Sequence, residues 1–286
     1  PTNRLTTDYF REGYSAAAAT ALAPGLDQDN AIVRFNSLIV AGEIGSRYMV
    51  DLFIDGFGDA NAAVRYWAAR AVAMAMEPTA EGGADLNAED QGRVLDAVTG
   101  AMEDEQSPLV IEQMYRALSR LTIPAARTAV LDKLDQRLST HRARLTNGLR
   151  ADLEGLRGLQ TQLIVLGARG EDVIAPMKRL ATIAGKYLLV VGEALHGGRV
   201  SAEVRPVGGS VIETGGQILK SYIDMVSEVD VSQSPIAQPL SRGQLDQMML
   251  HIYDWVGGEN SPGILTINGE INRDALALPE PAAQNP

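Results

Sequence analysis

Glu193 and His196 stand three residues apart in a segment whose apolar residues recur at helical spacing. That spacing puts both side chains on one helix face. A Glu-x-x-His pair of this kind holds metal in di-iron carboxylate bundles, where a second Glu-x-x-His and two further glutamates complete the site. The only comparable pair here is His251-x-x-Asp254, so the ligand set is incomplete. Glu193 and His196 are the candidate metal ligands. The plainer reading is a polar helix end before Gly197-Gly198, with His196 near the carbonyl end of the helix dipole. No metal or cofactor is expected.

Other chemistry is thinner still. Gly208-Gly209-Ser210 and Gly215-Gly216 invite a phosphate-loop reading, but Lys220-Ser221 come too late and no strand-helix-strand context precedes them. A loop, an N-cap at Ser210 and a glycine-tolerant helix face account for them. The histidines are His141, His196 and His251, and no nucleophile elbow accompanies them. Glu103, Asp104 and Glu105 read as a solvated run between helices. Met225, Met248 and Met249, with Tyr253 and Trp255, fall mostly at helical spacing, which favours core packing over an adaptable binding surface. No catalytic residue is assigned.

Composition narrows the class. A net charge of -11 repels phosphates, so nucleic acid is not an expected partner. The nearest basic cluster is Arg137, His141, Arg142, Arg144 and Arg150, and it is interrupted by Asp132, Asp135 and Asp152. There is no cysteine, which excludes disulfides and thiolate chemistry. No apolar run is long enough to cross a bilayer, so no transmembrane segment is expected. The chain opens on Pro1 without the charged and apolar regions of a signal peptide. A cytoplasmic location is the expectation, and export after cleavage of a leader is compatible with the same features.

These side chains must be positioned by helices. With 5% aromatics and abundant alanine, the composition suits closely packed helices. After the cap candidate Asp59, Val64, Trp67, Ala68, Ala71, Val72 and Ala75 form a helical stripe, with Arg65 one step off it. The pattern of an acid followed by Val-Arg-aromatic also occurs at Asp29 and Val33-Arg34-Phe35. A looser copy carries Val110, Met114, Ala117 and Leu118, with Ile111 in place of the arginine. Companion helices are expected at Met49, Leu52, Phe53 and Phe57, and over residues 87–103. Helix pairs repeating at such periods indicate a stacked array.

The stretch from Asp59 to Val72 (an acid, then Val-Arg-x-x-Ala-Ala-x-Ala-Val) and its copy at Asp29 and Val33-Arg34 resemble the HEAT-repeat family. The resemblance covers roughly residues 1–125. It implies an α-solenoid in which Asp29, Arg34, Asp59 and Arg65 are inter-repeat structural ties and not substrate-binding groups. Residues 77–87, with Pro78, Gly82 and Gly83, interrupt the repeat as a loop.

Beyond Pro124 the stripes lengthen. Val130, Leu131, Leu134 and Leu138 mark one helix, and leucines from Leu145 to Leu163 continue. Val173, Met177, Leu180, Ala184, Leu188, Val191 and Leu195 form the seam of a long helix joined to its predecessor by a glycine turn. Val211 to Val226 marks a further helix, and Leu245 to Val256 the last. Residues 199–206 alternate, and 264–272 contain Asn268-Gly269, a hairpin signal. The two are expected to meet as strands. The tail LPEPAAQNP has the composition of a disordered end.

The expected fold class is all-α: a HEAT-like helical-repeat solenoid over 1–125, an irregular bundle of longer helices over 126–258 packed on it, and a small β-hairpin with an extended tail over 259–286. The expected function is a non-catalytic scaffold or adaptor that binds a protein partner, with a basic segment favoured by the acidic surface. The alternative is a structural subunit of a large multiprotein assembly. An enzyme on a HEAT-like fold, such as a DNA glycosylase or a bilin lyase, is the remaining class. Residues 77–87 and the tail after Pro262 are where a partner is expected.

Overall fold

The computed structural model describes residues 4–77, 86–228, 236–258 and 261–280, with side chains from Tyr9 onward. Among them every regular element is helical: thirteen α-helices and two 3₁₀ turns. The chain divides into two compact units, Pro1–Ala126 and Arg127–Pro286.

The first unit contains α1 (Arg4–Leu26), α2 (Ala31–Ile44), α3 (Val50–Phe57), α4 (Ala62–Ala75), α5 (Ala88–Asp104) and α6 (Pro108–Arg120). Short polar caps start the helices. The Asn30, Asn61 and Asn87 side chains accept the backbone N–H of Ile32, Ala63 and Asp90, which satisfies donors that a helix leaves open at its first turn. At α6 the first residue is Pro108, whose missing N–H costs nothing there. Helices pair in sequence, α1 with α2, α3 with α4 and α5 with α6. The even helices α2, α4 and α6 pack side by side in one row, and α1, α3 and α5 in another.

Small residues set the helix separations. A Cβ on Gly42 of α2 would lie 2.8 Å from the Ala71 Cα of α4. One on Gly56 of α3 would lie 2.8 Å from the Ala68 Cβ. Around these contacts Leu38, Phe53, Phe57, Val64, Val72 and Met114 are buried, each contributing roughly 1.5–3 kcal/mol by leaving water.

The second unit is built on α9 (Ile174–His196). Around it stand α7 (Pro124–Ala143), α8 (Leu149–Ala168), α10 (Arg205–Val226) and α12 (Leu245–Val256), with short α11 (Ala237–Ser241) and α13 (Ile264–Ile267). The glycines read as a loop before a Ser210 cap lie inside α10, which starts at Arg205. A Cβ on Gly215 would come within 2.9 Å of Leu188, and one on Gly208 within 3.3 Å of Val191. Those glycines therefore let α10 press onto α9. Gly192 does the same for α12, where a Cβ would lie 2.6 Å from Ile252 Cδ1.

The expected hairpin is not formed. Residues 264–267 make one helical turn, and residues 199–206 run through turns into α10. The apolar side chains explain it. Leu265, Ile271 and Leu276 are buried, and the side chains of Leu265 and Leu276 close on Gly185 of α9. A coiled segment delivers them to that core, whereas a two-stranded ribbon would be marginal by itself. Tyr222 Oη also donates to the Gly269 carbonyl at 2.6 Å. The start of the tail is likewise held: Arg142 Nη1 donates to the Leu278 carbonyl at 3.2 Å and also to that of Pro279. Residues 281–286 of the tail, and residues 78–85 of the expected partner loop, lie outside the described residues.

Candidate functional site

The polar groups with the most organised geometry form a ladder along α2, α4 and the start of α6. Arg34 and Arg65 each stand four residues after an asparagine N-cap. Arg34 grips Asp59 in a fork, Nε to Oδ2 at 2.7 Å and Nη2 to Oδ1 at 3.2 Å. Its Nη1 donates to the carbonyls of Gln28 and Asp29 at 2.7 and 2.9 Å. Arg65 repeats the arrangement: Nε to Glu105 Oε2 at 2.6 Å, Nη2 to Oε1 at 3.1 Å, and Nη1 to the carbonyls of Asp59 and Ala60 at 2.8 and 3.0 Å. The carboxylates also receive a backbone N–H two residues on, from Asn61 at 2.7 Å and from Ser107 at 2.8 Å.

Each arginine thus closes its own helix start and reaches the turn before the next even helix. Planar forked pairs of this kind fix geometry as well as supply energy. Burial alone would push the Asp59 and Glu105 carboxyls up. The arginine and the backbone N–H groups outweigh it and hold both below the usual carboxylate range.

Of the four residues singled out from sequence, the structure joins Arg34 to Asp59 directly and seats Arg65 on Asp59's carbonyl. Asp29 makes no side-chain bond to Arg34, contributing its backbone carbonyl and its charge at longer range. The carboxylate that matters lies two residues before the cap, and Asp29 lies one before it. Asp59 is therefore not the N-cap of α4; Asn61 is. Glu105 belongs to the ladder, although it read as part of a solvated run. Its side chain is 1% exposed, while Glu103 and Asp104 are exposed. Its place two residues before Ser107, matching Asp59 before Asn61, was the available signal. Ile111 occupies the arginine position in α6, and the ladder stops there.

Among the described residues of the second unit one carboxylate is fully buried, Asp152 of α8. It accepts from Arg137 Nε and His141 Nε2, both on α7. Burial pushes its carboxyl up, and His141 and then Arg137 more than reverse this, holding it below the usual range. A His–Asp pair is base-catalyst chemistry in an open cleft. Here the imidazole is 2% exposed, so it ties α7 to α8. Of the interrupted basic cluster, Arg137 and His141 thus serve Asp152, while two of the interrupting acids pair with residues outside it. Asp132 holds Arg179, and Asp135 holds Lys186 at 3.0 Å.

Glu193 and His196 are both exposed at the end of α9. His196 Nε2 lies 2.7 Å from Asp246 Oδ1 of α12. Among the described residues no group of three or more His, Asp or Glu is placed to hold a metal ion.

Aromatic residues occupy the surface beside the ladder. Trp67, expected within the buried stripe, is half-buried. It stacks on Phe35 of α2 at 6.4 Å, meets Tyr66 edge-on at 5.7 Å, and carries the Arg70 guanidinium 5.0 Å above its ring. At 100° per residue it stands at the edge of the buried face of α4, which is centred on Val64, Ala68, Ala71 and Ala75. In the other unit Met248, Met249 and Trp255 are core residues, whereas Met225 and Tyr253 are partly exposed.

Comparison with known proteins finds no matching family model, no matching curated protein and no matching solved structure.

Proposed function

We propose that the chain is a non-catalytic, HEAT-like scaffold that binds a protein partner through the Phe35, Tyr66, Trp67 and Arg70 surface. One observation carries the reading: Trp67 is held half-exposed between a stacked phenylalanine and a stacked arginine. The few residues that dominate binding energy in protein interfaces are enriched in tryptophan, tyrosine and arginine. A side chain already fixed by its neighbours loses little freedom on binding. The ladder supports the same reading, because it fixes the register of α2 and α4 that brings Phe35 and Trp67 together. The net charge of -11 steers a basic partner toward the chain, while at the contact itself Arg70 calls for an acceptor. Leu265, Ile271 and Leu276 of the segment after Pro262 are buried in their own unit, which favours α2 and α4 over that segment as the contact.

The test is quantitative affinity capture from the native source, comparing wild type with Trp67→Ala and Arg70→Glu. A partner held at this surface should bind roughly 30-fold more weakly to Trp67→Ala, the loss of a typical hot-spot residue. Unchanged recovery of every co-purifying chain with both variants rejects the placement.

A further inference from the structure

A different surface, on α1, carries an inference independent of that reading. At 100° per residue, Phe10, Tyr14, Ala17, Ala21 and Pro24 fall on one line along the helix. Their spacings of four, three, four and three are those of a helix-pairing seam. All five are exposed. Phe10 is 71% exposed and Tyr14 56%, and their rings stack on each other at 6.1 Å. Tyr9, at 78%, and Gly13 flank the line, and nothing lies within 4 Å of where a Gly13 Cβ would sit. Of the charged residues of α1 among these turns, Arg11 lies 100° round the helix from Phe10, flanking the line on the side opposite Tyr9. Glu12 lies on the far side, accepting from Tyr48 at 3.1 Å. The opposite face packs on α2 and α3. A long uncharged stripe in water marks a contact surface.

The order of sizes along the stripe selects the occupant. Large residues come first (Phe10, Tyr14) and small ones last (Ala17, Ala21). Turned end for end, the same stripe offers small residues where this one offers large. We infer that α1 pairs with α1 of a second copy, antiparallel about a two-fold axis, placing Phe10 against Ala21 and Tyr14 against Ala17 of the other copy. A two-fold contact must be self-complementary, and this stripe is. Charge agrees. Two chains of net charge -11 repel over most of their surfaces, and along this line no carboxylate opposes another. Six aromatic rings, each able to cover about 150–250 Å², bring the contact to the order of the 1,000 Å² that a specific interface requires.

The chain has no cysteine, so an introduced thiol reports proximity without interference. Sedimentation equilibrium of the full chain should give about twice 30.6 kDa for wild type, and the single-chain mass for Phe10→Glu and Tyr14→Glu. Helical circular dichroism should be retained, because these side chains leave the first unit's core untouched, and the melting temperature should lose its dependence on protein concentration. Mixed under mild oxidation, Tyr14→Cys and Ala17→Cys should cross-link to each other faster than either does to itself. A wild-type chain that is single at every concentration, a dimer indifferent to both glutamate variants, or preferred Tyr14→Cys self-linking would each overturn the proposal. Affinity capture by Phe10→Glu keeps this test separate, since loss of dimerisation with intact partner recovery leaves the Trp67 surface standing.

Discussion

At the scale of single residues, the polar chemistry of this chain is spent on joining helices. Glu105 shows the cost of breaking a tie. Arg65→Ala leaves a nearly buried carboxylate with little beyond the Ser107 N–H, and charged hydrogen bonds of this kind contribute about 2 kcal/mol. Urea denaturation should show a loss of that size, and Glu105→Gln should lose less because the amide keeps an acceptor. Asp152→Ala should be worse, about 3–5 kcal/mol, since it strands Arg137 and His141 on a buried partner's site. The sequence made Arg34 and Arg65 legible through the repeat of Val-Arg after an acid. It hid Glu105 and Asp152, because an acid in a run of acids carries no sign of burial. Only the neighbour across space does.

At the scale of elements, glycine decides the helix packing. In α10 the Gly215 position admits no side chain, because Leu188 fills the space. Gly215→Leu should therefore destabilise by a few kcal/mol through overpacking, roughly 1–3, despite leucine's better helix propensity. Gly13→Ala in α1, where the space is open, should be neutral or raise the melting temperature slightly through that same propensity. Thermal unfolding of the two variants checks the contrast. Truncation at residue 262 removes Leu265, Ile271 and Leu276 from the α9 core. It should expose dye-binding apolar surface and lower the melting temperature, an effect that removal of a mere disordered tail would lack. Helix stripes were readable from period and composition, but the N-caps were not: Asn61, two residues past Asp59, caps α4, and Ser210 lies inside α10. The fate of residues 264–272 was not, since Asn268-Gly269 favours a hairpin only where a partner strand exists, and the buried leucines compete for the same residues.

At the scale of the whole molecule, acid is the natural denaturant. Asp59, Glu105 and Asp152 all have carboxyls held below their ordinary values in the folded chain. The unfolded chain therefore binds more protons, and stability rises with pH through the carboxylate range. The contribution is fully present above the unfolded values, 3.8 for aspartate and 4.5 for glutamate, and is lost as pH falls through the folded ones. Denaturant midpoints should be level near neutrality and drop steeply below about pH 4. With Asp152→Asn the drop should be shallower. A profile flat down to pH 3 would contradict the ion pairs in both units.

The sequence by itself determined that the chain is helical, that its helices bury one stripe each, and that successive pairs recur. These follow from local periodicity and from a composition rich in alanine and poor in aromatics. Tertiary structure alone decided which acid each arginine reaches, why the glycines of α10 sit in mid-helix, and that Leu276 is buried. Those outcomes depend on how closely two backbones approach, and that distance is set by side chains far apart in the chain.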